Sequence, residues 1–118
     1  MAKSLEHSLQ LTCVRWFRYQ YPDLLLWHTN GTAQNRKHGA VLVGMGCMAG
    51  VPDLLFYYRG QLHGIELKTE KGRQSPKQKE FQAKFEKEGG QYYIVRSVDN
   101  FVSLVQSIVH GATPNQRN

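Results

Sequence analysis

The sequence has little cysteine and no long run of apolar residues. Its two cysteines, Cys13 and Cys47, stand far apart without a CxxC spacing, which argues against a disulfide scaffold and a structural zinc site. The apolar runs are too short to span a bilayer, and the N-terminal segment lacks the apolar core of a signal peptide. We therefore expect no membrane association and a reducing, cytoplasmic location.

Acidic residues are also few. Nine Asp and Glu oppose 15 Lys and Arg, so the formal net charge is +6, which favours a polyanionic partner such as nucleic acid. A phosphate-binding loop ending in GK[ST] is missing, so we expect no nucleotide cofactor. The 41% of hydrophobic residues suffices for one core, which predicts a single domain over residues 1–110 and a flexible tail over 111–118.

Hydrophobic periodicity and turn residues predict an α/β fold with a mixed sheet. The expected order is helix, three strands, helix, strand, helix. The first helix would be capped by Ser4, and the second by a capping box between Ser75 and Gln78. The predicted helices are 4–20, 76–88 and 98–109, the strands are 24–29, 53–58, 61–69 and 91–95, and a short helix is possible over 39–45.

Two carboxylates and a lysine fall on one face of the hairpin made by the second and third strands. A two-residue turn at Arg59-Gly60 places Asp53 opposite Glu66, with Cβ atoms about 4.5–5.5 Å apart. Lys68 shares the face of Glu66 because strand side chains alternate, whereas Leu67 points the other way. Two carboxylates this close repel each other, so one should take up a proton or a cation.

Oxygen ligands on such a face suit Mg²⁺ or Mn²⁺ better than Zn²⁺, and the peptide carbonyl of Leu67 is a further candidate ligand. A divalent cation would lower the pKa of a bound water and neutralise a phosphodiester, while Lys68 orients the water or stabilises charge at phosphorus. The simpler interpretation is a surface ion pair between Glu66 and Lys68. The coincidence of register at Asp53 favours a site.

Two more polar side chains are expected near this face. Glu6 lies on the apolar stripe of the first helix, where a carboxylate is costly without a partner, although first-turn glutamates are also favoured by the helix dipole. Gln78 either closes the capping box or faces the sheet edge, and both roles are compatible.

Taken together, these motifs resemble a known family. The string Gly50-Val51-Pro52-Asp53-Leu54-Leu55, followed by Ile65-Glu66-Leu67-Lys68, is similar to the PD-(D/E)xK nuclease signature. The chain resembles in particular the VRR-NUC (virus-type replication-repair nuclease) domain over residues 6–105. The further features that carry this resemblance are Glu6, Asn30-Gly31, Met45-Gly46, Ala49-Gly50 and the segment from Gly72 to Gln78.

The resemblance implies an α-βββ-α-β core, with a mixed central sheet flanked by helices, and a metal-dependent endonuclease. The implied ligands of Mg²⁺ or Mn²⁺ are Glu6, Asp53, Glu66 and the Leu67 carbonyl. The implied catalytic residues are Asp53, Glu66, Lys68 and the supporting Gln78. Stand-alone viral and bacterial members resemble Holliday-junction resolvases and act as homodimers. This implies branched DNA as substrate, a homodimer, and the cytoplasm of a bacterial cell or phage-infected host.

Basic residues near these motifs are the expected phosphate contacts. They are Arg36, Lys37, Lys71, Arg73 and Lys77. Two alternatives stay open: a flap or nicking nuclease acting on duplex or single-stranded DNA, and a catalytically silent nucleic-acid-binding module. The acidic residues argue against a silent module, because carboxylates facing phosphates only weaken binding. The candidates for an apolar dimer surface are Trp16, Tyr19, Tyr92, Tyr93 and Phe101, each of which could equally belong to the core.

Overall fold

A computed structural model describes residues 2–29, 40–41 and 43–111. The described elements follow the predicted order and form a mixed α/β fold, so the predicted fold class is confirmed. Their bounds are α1 (Ala2–Gln20), β1 (Leu25–His28), β2 (Leu54–Tyr58), β3 (Gln61–Leu67), α2 (Pro76–Lys87), β4 (Gln91–Val95) and α3 (Val98–His110).

Several boundaries differ from those predicted. Helix α1 begins at Ala2, so Ser4 lies inside the helix and its prediction as N-cap is wrong. The first three strands are shorter than expected, which leaves Asp53 just before β2 and Lys68 just after β3, whereas β4 has the predicted bounds. Residues 40, 41, 43 and 44 are helical, as the short helix predicted over 39–45 requires. Of the predicted tail, residues 112–118 lie outside the described part of the chain.

The β2–β3 hairpin has the predicted register. Tyr58 pairs with Gln61 and Leu54 with Ile65 across a two-residue turn. Arg59 and Gly60 in that turn both have positive φ, 46° and 87°, as a type I′ turn requires. Within the described residues the sheet order is β1-β2-β3-β4. Strand β2 pairs antiparallel with both β1 and β3, whereas β4 pairs in parallel with β3.

One face of this sheet builds the core. Leu54, Phe56, Ile65 and Leu67 alternate along β2 and β3 and are buried together with apolar residues of α1 and α3. Phe17 of α1 meets Phe56 edge to face, with ring centroids 5.2 Å apart. The core therefore fixes the hairpin against two helices and leaves its other face to α2.

The other face of the hairpin packs closely against α2. A Cβ on Gly64 would lie 2.9 Å from the Pro52 side chain and 3.2 Å from Phe85, so glycine is required for this approach. Phe85 stacks on Phe81 at 5.5 Å, and both residues are half-buried. Within the described ranges, every helix is too short or too polar to cross a bilayer.

Candidate active site

The hairpin end opposite its turn carries a buried carboxylate. Glu66 is only 2% exposed, and Asp53 lies beside it at the start of β2. The Asp53 Oδ2 atom accepts a hydrogen bond from the Leu67 amide at 2.7 Å. This bond fixes the Asp53 carboxylate against the backbone between Glu66 and Lys68.

Three side chains satisfy the Glu66 carboxylate. Gln78 Nε2 donates to Oε2 at 2.6 Å, and the Tyr92 hydroxyl donates to Oε1 at 3.3 Å. The Lys68 ammonium lies 3.6 Å from Oε2. A buried carboxylate needs such partners, and here they come from α2, β4 and the end of β3, so the folded core holds this group in one orientation.

The capping box of α2 orients Gln78. Its amide oxygen accepts from the Ser75 N–H at 2.8 Å, and its own backbone N–H donates to Ser75 Oγ at 3.2 Å. Because the oxygen of the side-chain amide is used in the cap, its NH₂ group is directed at Glu66. Both roles considered for Gln78 therefore hold at once.

The loop before Asp53 rests directly on the first turn of α2. Gly50 has φ +84°, and a Cβ there would lie 2.2 Å from the Lys77 carbonyl oxygen, a contact that backbone atoms cannot tolerate. A cavity of about 150 Å³ opens at this junction. It is lined by His28, Thr29, Gly50, Val51, Asp53, Ser75 and Gln78.

The end of β1 holds the backbone of Asp53. The Thr29 N–H donates to the Asp53 carbonyl at 3.1 Å, and Thr29 Oγ1 donates to the Pro52 carbonyl at 2.7 Å. His28 Nδ1 lies 2.9 Å from the same Asp53 carbonyl and, because a carbonyl oxygen only accepts, donates a hydrogen bond to it. Asp53 is thus fixed by both its side chain and its main chain.

Burial and mutual repulsion set the protonation of the two carboxylates. Burial, followed by the negative charge of Asp53, raises the pKa of Glu66 to about 7, although Lys68 and Tyr92 act in the opposite direction. Burial also raises the pKa of Asp53, against the lowering effects of the Leu67 amide and the charges of Lys68, His28 and His7. Part of the Glu66 population is therefore protonated near neutral pH.

A divalent cation fits this donor set. The carboxylates of Asp53 and Glu66 are hard oxygen donors whose repulsion a cation would relieve. Among residues 2–29, 40–41 and 43–111, no three His, Cys, Asp or Glu side chains are grouped closely enough to enclose a metal ion. A cation held here would rely on the two carboxylates, a backbone carbonyl such as that of Leu67, water and substrate, as Mg²⁺ commonly does.

Comparison with known proteins decides the family. The profile of the VRR-NUC domain matches residues 4–99, most of the chain. The chain belongs to the VRR-NUC family. A solved structure titled "VRR_NUC domain protein" is 23% identical, with a TM-score of 0.71 over 89% of this chain and 88% of its own. A second, titled "VRR_NUC domain", is 22% identical, with a TM-score of 0.59 over 86% and 94%. The search of curated proteins found no match.

Membership of the VRR-NUC family makes this chain a nuclease domain with DNA as its substrate, in a family that uses a divalent metal. The polar end of the hairpin is the candidate active site of this VRR-NUC domain, since it joins Asp53, Glu66, Lys68 and Gln78. A larger cavity of about 520 Å³ lies at the other end of the hairpin, around Arg59, and contains none of these residues.

Glu6 is placed differently from Asp53, Glu66, Lys68 and Gln78. Its side chain is half-buried, and within the described ranges it is not grouped with Asp53 and Glu66 closely enough for the three carboxylates to enclose a metal ion. The next residue, His7, lies close enough to lower the pKa of Asp53. The first turns of α1 therefore border the site, with His7 as the side chain that acts on it electrostatically.

The expected phosphate contacts fall into three groups. Lys71 and Arg73 are exposed in the loop that follows Lys68. Lys77 is also exposed but lies 3.7 Å from Glu80, which offsets part of its charge. The two remaining candidates, Arg36 and Lys37, lie outside the described residues.

Sequence reasoning missed the roles of two side chains at this site. It assigned no role to His28, and it offered Tyr92 only as a possible dimer contact. Tyr92 reaches Glu66 because β4 pairs in parallel with β3, so that Gly64 lies beside Tyr92. An available signal was the alternation of β4, which puts Tyr92 and Ile94 on the face opposite Tyr93.

The expected dimer surface needs correction. Tyr92 is 8% exposed and Phe101 fully buried, because both pack inside the single chain. Trp16 packs edge to face on Phe101, and the Tyr93 hydroxyl bonds to His63. Tyr19, at 85% exposure, is the one clearly exposed member of that set.

Proposed function

We propose that this VRR-NUC domain is a metal-dependent endonuclease that hydrolyses phosphodiester bonds in branched DNA, with four-way junctions as its main substrate. The observation that carries the proposal is the Glu66 carboxylate, which is buried yet held beside Asp53 and Lys68. A purely DNA-binding surface gains nothing from two carboxylates kept at this cost. An enzyme that hydrolyses phosphodiesters does benefit from them, because the two carboxylates can bind a cation.

In this proposal Asp53, Glu66 and the Leu67 carbonyl hold Mg²⁺ or Mn²⁺. The bound cation supplies charge neutralisation at the phosphate and a lower pKa for the attacking water. Lys68, whose side chain is 12% exposed, directs its ammonium toward the reacting phosphate and stabilises the charge that develops there. Gln78 and Tyr92 keep the Glu66 oxygens in place while the substrate binds.

Glu6 has a lesser part in the proposed site. Since it forms no metal-binding cluster with Asp53 and Glu66 within the described residues, it would act on the cation through a water molecule. This outer position fits Mg²⁺, which commonly keeps several of its waters when bound to protein.

The branched substrate and the homodimer rest on the resemblance to stand-alone members of the family. A four-way junction is two-fold symmetric, and two copies of the chain about a two-fold axis would place one site on each strand to be cut. The surface we expect a second copy to cover lies on β1 and β2. There Leu25, Trp27 and Tyr57 share one face of an edge strand pair and are 59%, 44% and 45% exposed.

The substrate is tested with labelled four-way junction, flap, duplex and single-stranded DNA, each with Mg²⁺, Mn²⁺ or EDTA. We expect paired cuts in the junction with either metal and no cutting in EDTA. Lys68→Ala is the matched control for a contaminating nuclease and should be inactive. Preferred cutting of flaps or nicking of duplex would replace the junction assignment, and metal-dependent binding without any cutting would support the silent binding module.

Light scattering at micromolar concentration tests the dimer. We expect twice the chain mass of 13.5 kDa without DNA. Trp27→Glu should convert the protein to a monomer that stays folded, because it places a charge in the proposed interface while the core remains intact. A monomeric mass both free and bound to junction DNA would contradict paired cutting.

A further inference from the structure

Arg96, directly after β4, makes an unusual set of hydrogen bonds. Its Nη1 atom donates to the carbonyl oxygens of Thr69 at 2.8 Å, Glu70 at 3.2 Å and Gly72 at 2.6 Å. Its backbone N–H donates to Asn100 Oδ1 at 3.2 Å, which ties it to the start of α3. One cationic group thus gathers three carbonyls of a single loop.

The gathered loop joins the candidate active site to α2. It runs over residues 69–74 and carries Lys71 and Arg73, both exposed and both expected to contact DNA phosphates. The loop folds back through a hydrogen bond from the Gly72 N–H to the Thr69 carbonyl at 3.0 Å. Because its carbonyls point inward at Arg96, the two basic residues are held on its solvent side.

Lys68 is anchored without Arg96. Its backbone N–H donates to the Val95 carbonyl at 3.0 Å, and its ammonium pairs with Glu66. The chain is therefore fixed up to Lys68 by strand pairing. Beyond it, the Arg96 side chain holds residues 69–72, and a hydrogen bond from Gln74 Nε2 to Gln82 Oε1 at 2.9 Å holds the end of the loop. Loss of Arg96 should release Lys71 and Arg73 while leaving Asp53, Glu66 and Lys68 in place.

We propose that Arg96 is a positioning residue for DNA binding, which holds the 69–74 loop so that Lys71 and Arg73 meet the substrate backbone. This inference rests on the proposed function, since it assigns the loop to the DNA interface of that nuclease. Arg96 acts through the loop and not through the chemistry at the phosphate. Its effect should therefore fall on DNA affinity and KM, with kcat at saturating DNA nearly unchanged.

Arg96→Ala tests this role, Arg96→Lys tests whether another cationic donor at this position suffices, and Arg59→Ala controls for simple charge loss. Arg96→Ala should weaken junction binding in EDTA and lower the salt slope by about 0.9 for each phosphate that the loop no longer neutralises. Arg96→Lys should restore most of the affinity, because an ammonium has three N–H donors for the same three carbonyls. Arg59→Ala removes an equal charge at the far end of the hairpin and should change binding little.

A double-mutant cycle decides whether Arg96 acts through the loop. In a Lys71→Ala, Arg73→Ala background, Arg96→Ala should cause almost no further loss of DNA affinity. An equal loss in both backgrounds would overturn the proposal, because it would mean that the guanidinium contacts DNA itself. A fall in kcat at saturating DNA with KM unchanged would overturn it as well.

Amide hydrogen exchange in the DNA-free protein tests the loop independently of nuclease activity. Arg96→Ala should speed exchange at the Gly72 amide, which the loop's own hydrogen bond protects, and leave β3 protected. Unchanged exchange would overturn the positioning role. If the wild-type protein neither binds nor cuts DNA, the proposed function fails, whereas faster loop exchange would still show that Arg96 holds the loop.

Discussion

Ile65 and Glu66 are neighbours on β3, equally buried and opposite in chemistry. Ile65 has no exposed surface and packs in the apolar core beside Leu54. Glu66 is 2% exposed on the other face and meets Lys68 and Gln78. One strand thus presents a core face and a site face, one residue apart.

The two faces use burial for different ends. Burial of Ile65 removes apolar surface from water and stabilises the fold. Burial of Glu66 removes a charge from water and costs stability, which hydrogen bonds from Gln78 and Tyr92 only partly offset. The packing of the core face therefore stabilises the fold enough to hold the buried Glu66 carboxylate in a fixed position on the site face.

The largest effect should come from the site face. Glu66→Gln, Asp53→Asn and Lys68→Ala should each lower cleavage by about 10³-fold or more, because each removes a group that stabilises charge in the transition state. Stability of the metal-free carboxylate variants should hold or rise, since repulsion between Asp53 and Glu66 is relieved. Urea unfolding measures the stability of each variant. Near-native cleavage by any of the three variants would show that the substituted residue does not belong to the active site.

The core face should give the reverse pattern. Ile65→Ala should lower the free energy of unfolding by about 2–5 kcal/mol, and Ile65→Val by about 0.5–1.5 kcal/mol, because apolar packing is removed and a cavity remains. At a temperature where it stays folded, Ile65→Val should cleave as the wild type does. Strongly reduced kcat in folded Ile65→Val would show that the two faces are not separable.

The site face should also make the free energy of unfolding depend on pH, through the titration of Glu66, whereas Ile65 on the core face carries no titratable group. The pKa of Glu66 is raised from 4.5 to about 7 by folding, so its protonated form favours the folded state. The contribution is fully present below pH about 4.5 and is lost as the pH rises through about 7. Without metal, wild type should lose about 3 kcal/mol relative to Glu66→Gln across this range, as urea titrations would measure. Mg²⁺ should reduce this loss. A stability difference between wild type and Glu66→Gln that does not change with pH would contradict the raised pKa of Glu66.

Glu6→Gln should have the smallest effect. Within the described residues Glu6 forms no metal-binding cluster with Asp53 and Glu66, so we expect a few-fold rise in the Mg²⁺ concentration needed for half-maximal cleavage. His7→Gln is the matched comparison on the adjacent position of α1. A loss as large as that of Glu66→Gln would make Glu6 a direct ligand and extend the site face onto α1.

Local signals made much of this protein predictable. The turn at Arg59 and Gly60 fixes the hairpin register, so the face shared by Glu66 and Lys68 follows from counting along two strands. The capping box of Ser75 and Gln78 can likewise be predicted from four consecutive residues. Such features are determined by the sequence because each depends on residues close together along the chain.

What only the tertiary structure decided is how distant segments meet the hairpin. Parallel pairing of β4 brings Tyr92 to Glu66 and Arg96 to the 69–74 loop, and β1 brings His28 to Asp53. The same packing buries Phe101, which sequence alone left as a possible surface residue. A sequence pattern shows which face of an element is apolar, but the strand or helix that will cover it depends on how the elements together bury their apolar surface.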